Sequence, residues 1–162
     1  MKKIFLVIFL LFVLPNLSLA DDWKPILKIR PIIEKDLDLL DKRIKEIDID
    51  LGKSLEAPDF YRHSDWLKLT CEYLSLLVLK VQLSIAYEDL FVIETLLFYN
   101  KNLKGSKKIK DIIINDINDF KNTIEIIEIR GLSGSRPYLS YETIEVLDNI
   151  KSDLKEALEI LK

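Results

Sequence analysis

WLKLTCEYLSLLVLKVQLSIAYEDLFVIETLLFY, residues 66–99, has neither glycine nor proline and is apolar over most of its length. Leu74, Leu77, Val81 and Ile85 recur at steps of three and four, as do Leu83, Tyr87, Leu90, Ile93 and Leu97. That spacing is helical. Its polar residues fall on two narrow stripes about half a turn apart at roughly 100° per residue, Lys68, Glu72 and Ser75 on one, Lys80, Ser84, Glu88 and Thr95 on the other. A helix so widely apolar needs cover on more than one side, and the expectation is a long second helix that is largely buried. Lys80, Glu88, Asp89 and Glu94 interrupt it before the ~20 uncharged residues that a bilayer span requires.

An unbroken helix here would reach about 55 Å at 1.5 Å per residue, well past the roughly 35 Å expected of the third helix. Two solutions are available. Either its first turns overhang and residues 23–30 cover them, or it bends near residues 79–82, where the polar stripe changes sides. The aromatic group Phe60, Tyr61 and Trp66 at that end favours the overhang, because exposed aromatic surface calls for a partner. With Trp23, these three form the candidate partner surface.

The flanks read as shorter amphipathic helices. Ile33, Leu37, Leu40, Ile44, Ile47 and Leu51 define the first, entered at Pro31 and stopped at Gly52, with residues 23–30 as an approach segment. Ile113, Ile117, Phe120, Ile124 and Ile127 define the third, ending before Gly131. Ile144, Leu147, Ile150, Leu154, Leu158 and Leu161 define the last, with Ser140 as its N-cap and Glu142 in its first turn. The fold class expected is all-α, an antiparallel up-and-down four-helix bundle formed by residues 21–162 as one domain.

Residues 1–20 carry a different signal. Lys2 and Lys3 precede the apolar run 4–14, and Ser18-Leu19-Ala20 supplies a small-x-small cleavage site ahead of Asp21 and Asp22. This is a signal-peptide pattern, and cleavage after Ala20 delivers a periplasmic or secreted protein. Losing those two lysines moves the formal charge from −3 to −5. An acidic exported chain is a poor nucleic-acid partner, since phosphate binding needs concentrated Lys and Arg. Lys101, Lys104, Lys107, Lys108 and Lys110 form one local basic group, a candidate contact for anionic membrane.

Catalytic chemistry has few residues to work with. His63 is the single histidine and Cys71 the single cysteine, so haem attachment, di-iron Glu-x-x-His pairs and multi-ligand zinc sites lack their ligands. No cofactor is expected. Cys71, among Leu67, Leu74 and Val78, reads as a small buried hydrophobe. The Gly131–Pro137 loop is rich in Gly and Ser but lacks the Gly-Lys-Ser/Thr ending of a phosphate loop. Glu88, Asp89 and Glu94 are the candidate carboxylates, because they sit on the most apolar helix, where burial could make an acid or base. The expectation is an exported non-catalytic interaction module; a carrier holding an apolar ligand or lipid between helices is the alternative.

Overall fold

The computed structural model describes residues 24–56, 63–99, 106–133 and 137–161, and each segment holds one helix. Residues 1–20, expected to be a signal peptide, and Trp23, Phe60, Tyr61, Lys101 and Lys104 lie outside the described residues. We number the helices α1 (Lys24–Leu55), α2 (His63–Tyr99), α3 (Ser106–Leu132) and α4 (Tyr141–Leu161). No strand occurs among the described residues, and the four helices pack as a bundle. α1 lies against α2 and α4, and α3 lies against the same two helices, so each helix has two principal neighbours.

The core is a single cluster built from the stripes. Ile33, Leu40, Ile44 and Ile47 of α1, Ile113, Ile117, Phe120, Ile124 and Ile127 of α3, and Leu147, Ile150, Leu154 and Leu161 of α4 are all buried in it. At about 25 cal/mol per Å² of apolar surface, such burial supplies the main stabilisation of the fold.

Three boundaries depart from the sequence reading. α1 starts at Lys24, so residues 24–30 are helix rather than an approach segment, and Pro31 sits inside. The cause is that Ile26 and Ile29 continue the stripe of Ile33 and are themselves buried. Pro31 removes one intrahelical hydrogen bond and lies on an exposed position of the helix. Gly52 likewise lies within α1, which runs on to Leu55.

Gly131 is part of α3 rather than its stop signal. It is buried, and its carbonyl accepts hydrogen bonds from the backbone N–H of Tyr138 at 2.9 Å and of Leu139 at 3.4 Å. A Cβ at this position would fall 2.3 Å from Leu139 Cγ. Glycine is here because the returning chain packs directly on the helix backbone.

α2 is a continuous helix of 37 residues. Its length is accommodated by α1, which at 32 residues is itself long, and not by a bend. Nor do residues 24–30 cover its first turns. Arg30 reaches Tyr87 and Glu94 in the second half of α2, whereas Arg43 reaches Glu72 in the first half. Ser140 caps α4 as expected, its carbonyl accepting from Ile144 N–H at 3.1 Å and its hydroxyl from Thr143 N–H at 3.3 Å.

Candidate interaction surface

α2 has two apolar faces, and only one is in the core. Leu76, Leu79, Leu83, Ala86, Leu90 and Ile93 are buried at steps of three and four. On a second face, about 140° away at 100° per residue, Leu67, Leu74, Val78, Val81, Ile85 and Val92 are between 44% and 59% exposed. The second helix is therefore not buried all round. A helix in a ring of four touches two neighbours and turns the rest of its circumference outward. Here that outward part is greasy. From Leu67 to Val92 it extends about 37 Å, and an apolar strip of this length on a protein surface marks an interaction site more often than chance exposure.

Two polar contacts hold the flanks of α2 against α1. Arg30 donates to the Tyr87 hydroxyl from Nε at 3.2 Å and Nη2 at 3.0 Å, and to Glu94 Oε2 from Nη1 at 2.9 Å. Its guanidinium also lies 5.3 Å from the Tyr87 ring centre and 5.6 Å from that of Phe91, a cation–π geometry. Further along, Lys80 pairs with Asp41 of α1. These contacts orient α2 so that Val78, Val81 and Ile85 point away from the bundle.

A buried polar cluster fixes the other end. Glu72 is 2% exposed, and its Oε1 accepts from the Ser140 hydroxyl at 2.5 Å, the Ser140 N–H at 3.3 Å, the Thr143 hydroxyl and Arg43 Nη2 at 3.4 Å. Arg43 also donates Nε to Thr143 Oγ1 and Nη2 to Ser140 Oγ, each at 2.8 Å, and Nη1 to Glu46 at 3.0 Å. Each hydroxyl thus accepts from the arginine and donates to the carboxylate. A buried ion pair is tolerable only when such partners satisfy it, and placing a carboxylate at the N-terminus of α4 adds a favourable dipole interaction. The cluster locks α1, α2 and α4 together.

Asp36 of α1 is fully buried, and neither of its oxygens meets a donor among the described residues. Burial, followed by the neighbouring Asp153 carboxylate, pushes its pKa up to about 8. Asp153 in turn pairs with Lys35 at 2.5 Å. A proton on Asp36 therefore supplies the missing hydrogen bond to Asp153 and removes the like-charge conflict.

The sequence-derived candidates fare unevenly. Trp66 is half-buried at the start of α2, next to Leu67 where the outward strip begins, and its carbonyl accepts from Thr70 Oγ1 at 2.8 Å. Cys71 is half-buried with a free thiol, on the edge of the strip. Lys107, Lys108 and Lys110 fall in the first turns of α3, and Lys110 is half-buried. Glu88 is exposed, Asp89 is half-buried and raises the pKa of Asp116 after burial does, and Glu94 accepts from Arg30. The three carboxylates point in different directions and do not converge.

A groove of about 200 Å³ between α1 and α4 is lined by Leu39, Lys42, Arg43, Glu46, Glu142, Glu145, Val146 and Asn149, a charged lining ill suited to an apolar ligand. Among the described residues no group of three His, Cys, Asp or Glu side chains is placed to hold a metal ion, and no helix is long and apolar enough to cross a membrane. Comparison with protein-family models, curated proteins and solved structures found no match to this chain.

Proposed function

We propose that the chain is an exported, non-catalytic interaction module, cleaved after Ala20, that presents the outer face of α2 to a protein partner. The observation that carries this reading is the strip Leu67, Leu74, Val78, Val81, Ile85 and Val92, half-exposed along a helix whose other face is locked into the core. Burying it against a partner removes apolar surface from water, the main driving force of association. Export rests on the basic head, apolar run and small-x-small site of residues 1–20.

The architecture proposed for residues 21–162 is an antiparallel up-and-down bundle. Its support is the order of the cross-helix pairs: Arg30 with Glu94, Asp41 with Lys80 and Arg43 with Glu72 run in opposite directions along α1 and α2. Lys35 with Asp153 and Arg43 with Thr143 do the same along α1 and α4.

The test is site-specific photo-cross-linking in the producing cell, with the reactive residue placed at Val78 or, on the outer face of α4, at Lys155. A protein adduct from position 78 and none from 155 supports the reading. Equal labelling, or none from 78, contradicts it.

A further inference from the structure

We propose that the occupant of the α2 outer face is a second copy of this chain, its α2 packed antiparallel on the first about a two-fold axis. The proposal rests on the interface reading above and names the partner. Its basis is a symmetry in the exposed residues. Leu67, Leu74 and Val78 stand at the same distances before the midpoint between Leu79 and Lys80 as Val92, Ile85 and Val81 stand after it. Reversing the helix maps these six residues onto themselves; Phe91, 54% exposed on the same helix, lies off the strip, about 110° from its centre at 100° per residue.

An isologous two-fold contact between antiparallel helices requires that property, because residue i of one copy meets residue j of the other and the reverse. A partner of unrelated sequence imposes no such symmetry. The steps of seven, four, three, four and seven also hold to the 3.5-residue repeat on which paired helices keep their seam in register. The layers are then Leu67 on Val92 of the other copy, Leu74 on Ile85, and Val78 on Val81 at the axis. Each sets one apolar side chain against another.

Charge selects the antiparallel sense. In a parallel pair Glu88 would face its own copy on the seam, a like-charge contact costing association. Reversal takes Glu88 to the level of Cys71, and it sets exposed Lys68 level with Phe91, about 3 Å along the axis from the level of Asp89 and about 4.5 Å from that of Glu88, twice over. Area is sufficient. The six half-exposed side chains offer roughly 600 Å² per copy, and flanking residues such as Leu77 and Phe91 bring this near the ~800 Å² per partner of a standard interface.

The experiment uses protein purified after export and measures its mass by sedimentation equilibrium over a wide concentration range. The wild type is expected to be a dimer in equilibrium with monomer. The variant Val78→Glu with Val81→Glu is expected to keep its helical circular dichroism and associate ~100-fold or more weakly, since four carboxylates would be buried at the axis. Orientation is read by disulfide trapping in a Cys71→Ser background. Leu74→Cys together with Ile85→Cys should form a covalent dimer on oxidation, while Leu74→Cys alone should not, the two copies of position 74 lying about 16 Å apart along the seam.

A covalent dimer from Leu74→Cys alone overturns the antiparallel pairing. A wild type that stays monomeric at every concentration overturns the second copy. In that event an adduct of a different protein at position 78 leaves the interface reading standing, and the lack of any adduct removes that reading too.

Discussion

Arg43 of α1 and Thr143 of α4, separated by 100 positions in the chain, are joined by a buried 2.8 Å hydrogen bond from guanidinium Nε to hydroxyl Oγ1. The same hydroxyl donates to Glu72 of α2, so three helices meet in one satisfied polar site. The site stabilises only as a whole, because removing one member leaves another charge buried without compensation.

Glu72→Ala should therefore cost about 3–5 kcal/mol, the range for stranding a buried charge. Thr143→Val, which removes one donor and one acceptor but no charge, should cost about 1–3 kcal/mol. Urea unfolding measures both. A loss below that of Thr143→Val for the Glu72 variant would show that Arg43 finds another partner.

Asp36 gives stability a pH dependence whose sign is fixed by its raised pKa. The group ionises near 3.8 in the unfolded chain and near 8 in the folded one. Its contribution is fully present below the lower value. Between the two, the folded state keeps a proton that the unfolded state has lost, so stability falls by up to about 1.4 kcal/mol per pH unit and the slope ends above the folded value. Asp36→Asn has no proton to lose, so its stability relative to the wild type should rise steadily across this window. Unfolding free energies of both proteins at a series of pH values check it; parallel curves would contradict the assignment.

The two glycines inside helices should respond to alanine in opposite directions. A Cβ at Gly52 meets nothing within 4 Å, so Gly52→Ala should stabilise by about 0.5–1 kcal/mol through helix propensity. A Cβ at Gly131 would strike Leu139, so Gly131→Ala should destabilise by about 1–3 kcal/mol through overpacking. Thermal melts of the pair settle the comparison, and a stabilised Gly131 variant would mean that Leu139 moves aside at little cost.

Lys68→Glu should weaken self-association by about threefold to tenfold, the scale of two rim charge pairs at modest salt. Adding Glu88→Lys and Asp89→Lys should restore it, and raising the salt should flatten the whole series. Sedimentation of the three proteins gives the test. Weakening that persists after the charges are exchanged would place Lys68 away from those carboxylates.

How much of this was legible beforehand differs from helix to helix. In α3 all five residues of the expected stripe are buried, because their steps of four and three keep one phase, while the neighbouring Ile112 and Ile126 fall off it and are exposed. In α1 and α4 the stripes hold with small edge errors: Leu37, Leu51, Ile144 and Leu158 are only partly buried. The signals at Pro31, Gly52 and Gly131 misled because each is local, whereas the burial of Ile26 and Ile29 and the docking of Leu139 are tertiary. α2 resisted for a different reason. With apolar residues on both faces its period has two phases, and Leu74, Val81 and Ile85, expected in the core, face outward.

The buried polar residues were readable in principle from register. Asp36 and Arg43 stand between Ile33, Leu40 and Ile47 at steps of three and four, and Glu72 precedes Leu76, Leu79 and Leu83 in the same rhythm. A polar residue in phase with a buried stripe goes into the core with it. What the sequence could not supply was the identity of the partners, which arrive from helices 29 and 71 positions away. Of the expected partner surface, Trp66 alone falls among the described residues, beside the first residue of the outward strip.

The central claim is that α2 has two apolar faces with separate tasks, one holding the fold and one holding a partner. An aspartate scan along the helix, scored at every position for both thermal stability and self-association, tests it most directly. Aspartate at Leu76, Leu79, Leu83 and Leu90 should collapse the fold, while at Leu74, Val78, Val81 and Ile85 it should leave the melt nearly unchanged and abolish association. If the second set unfolds the protein as readily as the first, the outer face belongs to the chain's own core and the account fails.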